Sequence, residues 1–214
     1  MICLISFEGG DGSGKTTQVG LLERYLTERE TKYVSTREPG GTELGKMMRR
    51  VLLEVRKEKI APATELFLYL ADRAQHVQDV IQPSLAGGAL VLCDRFTDST
   101  LAYQGYGRGV DLGVLRLLNR IASRGIVPDI TLLFDCPVEM GLSRTKKRSP
   151  SLVADRFERE EVEFHERVRQ GFLELARAEA ERIIVLDASR PAAEIHTEIR
   201  KIVDRKLATQ HNAK

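Results

Sequence analysis

The chain has 214 residues, 42% of them apolar and 30% charged, with 33 Lys plus Arg against 31 Asp plus Glu for a net charge of +2. That is enough chain for one domain and a sizeable core without disulfide staples. The balance excludes a strongly basic nucleic-acid coat and an acidic disordered tail as whole-chain descriptions, and no window approaches the roughly 18 apolar residues of a membrane span.

The first apolar run, Ile2 to Phe7, reads as a buried strand. A glycine-rich turn follows, then Val19, Leu22 and Leu26 at helical spacing. Tyr33 to Thr36 is a weaker strand. Pro62 and Thr64 mark a helix start, and Leu66, Leu70, Val77 and Ile81 keep one face of that helix. Strands are expected again at Ala89 to Cys93, Ile130 to Phe134 and Ile183 to Leu186. Pro137 suits the start of a helix, and Phe164, Val168, Phe172 and Leu175 mark another. The last face is Ile195, Ile199, Ile202 and Val203. Near-continuous apolar strands alternating with amphipathic helices predict an α/β fold: a doubly wound five-stranded parallel sheet with helices on both faces. The whole span, 1–214, reads as a single domain with a frayed polar tail from Ala208.

Cys3, Cys93 and Cys136 are odd in number and far apart, so neither a disulfide framework nor a metal knuckle is expected. Reduced thiols, and a start without a basic leader, predict a cytoplasmic location with no membrane association. His76, His165, His196 and His211 are scattered and form no metal set. His76 is assigned a packing or surface role, because no partner for it is evident.

Chemistry enters at Gly9-Gly10-Asp11-Gly12-Ser13-Gly14-Lys15-Thr16, which fits G-x-x-x-x-G-K-[ST] between a strand and a helix. Glycines let successive N–H groups point at phosphate oxygens, Lys15 reaches the outer phosphates, and the Thr16 hydroxyl ligates Mg²⁺. A nucleoside triphosphate with Mg²⁺ follows. GTPases, motor ATPases and small-molecule kinases share such a loop, but the guanine-reading Asn-Lys-x-Asp string is absent. Asp94 and Arg95 end the third strand, where a doubly wound sheet forms its ligand crevice. The acid suits Mg²⁺ or its waters and the arginine suits phosphate; the plainer alternative is a structural ion pair. Arg144, Lys146, Lys147 and Arg148 precede Ser149-Pro150-Ser151 and Asp155-Arg156-Phe157-Glu158. This segment, about 144–158, reads as a basic lid that folds over the triphosphate, against the alternatives of a solvated face or a polynucleotide site.

Together these strings resemble the thymidylate kinase family over nearly the whole chain. The resemblance rests on Phe7-Glu8-Gly9, the loop, Thr36-Arg37-Glu38-Pro39-Gly40-Gly41-Thr42 and Ala71-Asp72-Arg73-Ala74-Gln75-His76. It continues through Asp94-Arg95-Phe96-Thr97-Asp98-Ser99, Ala102-Tyr103-Gln104-Gly105 and the Asp155 to Glu158 string. It implies a nucleoside monophosphate kinase fold, ATP as donor, dTMP as acceptor, Mg²⁺, and a homodimer that binds no nucleic acid. ATP is implied to lie on Gly9, Gly10, Asp11, Gly12, Ser13, Gly14, Lys15, Thr16 and Thr17. The metal is implied at Thr16 and Asp94.

For the acceptor, the resemblance implies Asp11 at the sugar 3′-hydroxyl, Arg73 on a thymine carbonyl and Arg95 on the phosphate. Glu38, Ser99, Tyr103 and Gln104 are implied around them. Tyr69 stands where the family usually stacks a Phe, and its spacing of four from Arg73 puts both on one helix face. Phe67 is assigned to the core instead. Phe96 replaces a frequent Tyr, which should cost one hydrogen bond. Gly12 stands where some members carry Arg, and members without it use basic lid residues. Arg144, Lys146 and Arg148 thus become candidate catalytic cations beside Lys15, Arg95 and Asp94, with Arg148 foremost. The competing readings are a kinase for another nucleotide or for a deoxynucleoside, with Glu8 as base, and a nucleotide-switched binding module.

Overall fold

The computed structural model describes residues 3–55, 59–148, 156–157 and 160–211; for Arg148 and residues 209–211 only the backbone is described. Five strands, β1 (Cys3–Glu8), β2 (Tyr33–Arg37), β3 (Leu90–Asp94), β4 (Ile130–Asp135) and β5 (Ile183–Asp187), form one parallel sheet in the order β2-β3-β1-β4-β5. Each runs one residue beyond its expected apolar stretch, and each added residue is charged: Glu8, Arg37, Asp94, Asp135 and Asp187. The backbone ladder needs no apolar side chain at its last rung. Charge therefore collects at the carboxyl edge, where the strand ends form a crevice.

Alternation splits β1 between the two faces. Cys3, Ile5 and Phe7 pack with Val19, Leu22 and Leu26 of α1 (Lys15–Glu28) and with Ile195, Ile199 and Val203 of α9 (Ala192–His211). Leu4 faces the other way, onto Val77, Ile81 and Phe96. On that side α3 (Pro62–His76) continues through a π-helical turn, Val77–Ile81, into α4 (Gln82–Ala86). It packs against α2 (Glu43–Leu53) and α6 (Leu112–Ala122). The remaining helices are α5 (Thr97–Thr100), which runs into a π-helical turn at Leu101–Gly107, α7 (Val138–Arg148) and α8 (Val162–Ala178). All three cysteines are free and buried. The expected frayed tail is partly helical, since α9 reaches His211; residues 212–214 lie outside the described ones.

The basic run is the end of a helix. No breaker precedes Ser149, so α7 continues through Arg144 to Arg148, with Lys146 and Lys147 exposed. Residues 149–155 and 158–159 of the expected lid, and the Arg148 side chain, lie outside the described residues.

Helix α7 meets the loop after β1 at close quarters. Gly12 has φ +70°, and a Cβ there would overlap the carbonyl of Gly141; a Cβ on Gly141 would overlap the carbonyl of Asp11. Two backbones touch, which leaves room for nothing larger than Gly at position 12. Gly141→Ala is expected to push α7 off the loop and lower the Tm by about 5 °C, as overpacking does. A melting scan with an unchanged midpoint would refute the contact.

Candidate active site

Three strand ends lie in one hydrogen-bonded row, because Asp94 pairs with Phe7 on one side and with Arg37 on the other. The loops that follow β1, β2 and β3 therefore leave the sheet side by side. The first is the Gly9–Thr16 loop. The Lys15 Nζ donates to Gly9 O at 3.0 Å, Gly10 O at 2.8 Å and Ser13 Oγ at 3.3 Å. Burial, and then repulsion from Arg95, push its pKa from 10.5 down to about 8. An anion seated in the loop reverses both effects.

Asp11 to Thr17 line a cavity of about 680 Å³, the size of a small-molecule site. Gly9 and Gly10 instead border a cavity of about 30 Å³ that Cys136 and His165 also line. Lys15, Arg37, Arg49, Arg95, Arg144 and Arg190 all face the larger cavity, against the acids Asp11, Glu38 and Asp94. Such an excess of cations suits a polyanion. Arg144 sits beside the segment after β5: its Nη1 donates to Ala188 O at 2.9 Å, near Arg190, Ala192 and Ile195.

Arg95 lies at the centre. Its φ is +69°, a conformation costly for a side chain of this size. Two bonds to β1 hold it there: Arg95 N–H to Phe7 O at 3.0 Å, and Phe96 N–H to Glu8 Oε1 at 2.7 Å. Its guanidinium donates to Asp11 Oδ1 at 2.7 Å and Gly9 O at 3.0 Å, and lies 5.0 Å from the Tyr103 ring centre. Burial opposes the charge, but Tyr103, Asp11, Asp94 and Glu8 outweigh it and hold the pKa well above the usual arginine value. Burial likewise pulls Asp11 upward, yet Arg95, Lys15 and His165 keep it below the ordinary carboxylate value.

A second cavity, of about 90 Å³, opens on the other side of Arg95. The structure brings Asp11, Glu38, Tyr69, Arg73, Arg95, Ser99, Tyr103 and Gln104 together around it, with Arg49, Leu53 and Phe157. Tyr103 and Gln104 come from the π-helical turn, a deformation frequent at functional sites. Tyr69 and Arg73 share a helix face as spacing predicts, and the Tyr69 ring tilts against Phe157 at 6.3 Å. Asp11, Glu38, Arg49 and Arg95 line both cavities, so the two meet there.

The thymidylate kinase family model matches residues 7–199. A thymidylate kinase of Desulfovibrio desulfuricans is 50% identical over 204 residues, covering 94% of each chain. One of Geotalea uraniireducens is 47% identical over 211 residues, 97% of this chain and 99% of that one. The crystal structure of thymidylate kinase from Ehrlichia chaffeensis superposes with a TM-score of 0.76 at 36% identity, over 94% of this chain and 98% of that chain. The chain belongs to the thymidylate kinase family.

One departure from the family pattern acquires a physical setting. Phe96 is fully buried, its ring centre 5.2 Å from the Arg73 guanidinium carbon, and its carbonyl accepts from Arg73 Nη2 at 2.9 Å. Phe67 corrects an expectation: it is 60% exposed, not core. Its place six residues from Arg73 turns it from the cavity, and on α3 that direction leads to the surface. His76 corrects another, because it is buried with partners on both ring nitrogens. Arg37 and Arg49 join the site without a sequence signal of their own: Arg37 ends β2 within the Thr36 to Thr42 string, and Arg49 reads only as one cation on a helix surface. Burial, and then Arg37, lower the Arg49 pKa, and its Nη1 donates to Pro39 O at 2.9 Å.

The depressed Lys15 pKa has a definite sign. Below about 8 the ammonium is charged and ready for phosphate; above it, binding must recover a proton. Affinity for a non-hydrolysable ATP analogue should fall about tenfold between pH 7 and 9, with Lys15→Arg removing the slope. Calorimetry showing a flat wild-type profile would refute this.

Proposed function

We propose that the protein transfers the γ-phosphoryl group of ATP to dTMP, giving dTDP and ADP. The observation that carries this is the meeting of two cavities at Asp11, Glu38, Arg49 and Arg95. The larger takes the donor, its phosphates against Gly9 to Thr17 and its base toward Arg144, Arg190 and Ala192. The smaller takes the acceptor, its base toward Tyr69, Arg73 and Gln104 and its phosphate toward Arg95. In-line transfer needs the two phosphates end to end, and only the shared wall offers that.

The acceptor needs no base. A phosphate monoester has a second pKa of about 6 and is largely dianionic at neutral pH. Glu8, the base that a hydroxyl acceptor would require, is fully buried. Its oxygens accept from Phe96 N–H at 2.7 Å and Ser99 Oγ–H at 2.5 Å. Burial and then Asp98 raise its pKa to about 7, but it reaches neither large cavity. This disfavours a deoxynucleoside as acceptor. Lys15, Arg95 and Arg49 neutralise the oxygens on which charge spreads.

Thr16 and Asp94 suit Mg²⁺. The Asp94 Oδ1 is buried without a hydrogen-bond partner, the state of an oxygen shaped for a cation or its water. Among the described residues no cluster of three or more metal-ligating side chains exists, so the ion would come with the triphosphate. Held by Thr16 and Asp94, it would supply charge neutralisation to the phosphate oxygens.

The lid, about 144–158, closes over the donor, with Arg148 the foremost catalytic cation and Arg144 toward the base side. Its far end has an anchor in Arg156, which bonds Leu52 O at 2.9 Å and Glu65 Oε2 at 2.6 Å. The single domain works as a homodimer: Met47, Phe67, Leu117 and Ile121 of α2, α3 and α6, with α3 packed against the other two, are each more than half exposed. Free thiols suit the cytoplasm, and neither nucleic acid nor membrane takes part.

An ADP-release assay across dTMP, dUMP, dCMP, AMP and thymidine should show dTMP as the best acceptor; turnover of thymidine without dTMP would reverse the reading. Arg73→Ala should lower kcat/KM for dTMP on the order of 10²-fold. Unchanged dTMP kinetics would remove Arg73 from the base site. Arg148→Ala should lower kcat while the ATP KM holds; a pure affinity loss would mean that the lid only binds. Light scattering should give twice the chain mass of 24.0 kDa, and a monomer would dismiss the dimer.

A further inference from the structure

Arg73 is almost wholly committed to the protein. Nε donates to Glu38 Oε2 at 2.8 Å, Nη1 to Thr100 Oγ1 at 2.8 Å and Asn119 Oδ1 at 2.5 Å, and Nη2 to Phe96 O at 2.9 Å. An arginine has five N–H groups, so one on Nη2 is left for a ligand. Its aim depends on the partners, above all on Glu38, the one that carries charge. Glu38 is 3% exposed and also borders the donor cavity, whose wall includes Arg49 and Arg95. What keeps it on Arg73 is its second oxygen, Oε1, which lies 2.9 Å from His76 Nδ1.

His76 is well placed for this. It is the last residue of α3, one turn beyond Asp72 and Arg73, and it has no solvent exposure. A carboxylate only accepts, so Nδ1 carries the hydrogen. Nε2 lies 2.6 Å from Thr36 Oγ1 and, in the neutral ring, accepts a hydrogen bond from that hydroxyl. The ring is thus fixed between the end of β2 and the loop that follows it. That loop is held closely: Gly40 N–H donates to Asp72 Oδ1 at 3.0 Å, and a Cβ on Gly41 would overlap the His76 ring.

We infer that His76 is a positioning residue for acceptor-base recognition, acting through Glu38 to aim the free Nη2 hydrogen of Arg73 at the base carbonyl. This rests on the reading of dTMP as acceptor. Without the Nδ1 hydrogen, Glu38 Oε1 is a buried acceptor without a partner, and the carboxylate turns toward the cations at the junction. Arg73 then loses its charged anchor while Thr100, Asn119 and Phe96 still hold it in place. The consequence is loss of discrimination rather than loss of the site. A base with an amino group where thymine has its carbonyl suffers less from a misaimed donor, so dTMP should lose more than dCMP.

The test is steady-state kinetics on a short series in the full-length enzyme. His76→Asn keeps an N–H near the Nδ1 position, His76→Gln keeps only the reach to Thr36, and His76→Leu keeps only volume. His76→Gln and His76→Leu should raise the dTMP KM about tenfold and narrow the dTMP-over-dCMP ratio of kcat/KM by a similar factor, with the ATP KM within about twofold. His76→Asn should recover most of the ratio. If the two larger changes prevent folding, Thr36→Val should shift the ratio the same way by about threefold. An unchanged ratio in the soluble variants, or equal loss toward ATP and dTMP in all of them, would overturn the role. The unsubstituted enzyme separates the two claims. If it fails to phosphorylate dTMP, the acceptor reading falls; if it turns over dTMP while the series is indifferent, only the role of His76 falls.

Discussion

The site depends on a register. Because Asp94 is flanked by Phe7 and Arg37 in one row of the sheet, Gly9, Glu38 and Arg95 begin their loops as neighbours. A one-residue slip would turn every side chain of a strand to the opposite face and separate the three. Arg95 shows how tightly the row is used. It turns back within one residue of the strand end, and φ +69° is the cost of that turn. Strain of this kind amounts to about 1–3 kcal/mol and persists only where surrounding bonds over-determine it. Here the bonds come from Phe7 O and the Glu8 carboxylate, so β1 both starts the phosphate loop and fixes the arginine facing it.

Behind this row the protein buries more charge than stability requires. Glu38 with Arg73 is a nearly inaccessible pair, and Asp98, 3% exposed, pairs with the partly buried Arg182 through two bonds at 2.8 and 2.9 Å. Desolvation consumes much of what such pairs gain, so they are poor evidence of stabilisation. Their value lies in direction. Asp98 sits on α5, just after Arg95, and Arg182 and Thr131 tie it to β4 and the start of β5. The helix that carries Ser99 toward Glu8 is thereby locked from behind. On the other side, Glu65 is 1% exposed and takes Gln104, Arg108 and Arg156. It joins the π-helical turn to the end of the basic segment, so the far wall of the smaller cavity is a charge network as well.

Sequence periodicity reveals what is local and apolar. The five strands, the faces of α3, α8 and α9, and the shared side of Tyr69 and Arg73 follow from spacing alone. The glycine-rich loop is legible because its fixed positions and its strand–helix setting coincide. What stays hidden is long-range and polar. His76 meets Glu38 and Thr36 across 38 and 40 residues, and nothing in its own neighbourhood announces either contact. Arg49 looks like any cation on an exposed helix until the loop at Pro39 and Gly40 is laid against it. Phe67 differs in the opposite sense: its helix position turns it from the cavity, which suggests the core, but the face it turns to is exposed.

The placing of positive charge follows from backbone packing. At Gly12 the carbonyl of Gly141 occupies the space of a side chain, so the loop itself carries no cation next to its acid. Arg144, anchored on Ala188 O, is committed to the wall of the larger cavity. On a straight α7, Arg148 lies one turn further out at i+4, on the same face and about 6 Å along the axis. The helix whose carbonyl fills the place of a side chain at Gly12 thus carries Arg144 and Arg148 beyond the contact at Gly141, so the close approach of two backbones sets both where a cation is excluded and where the nearest ones begin.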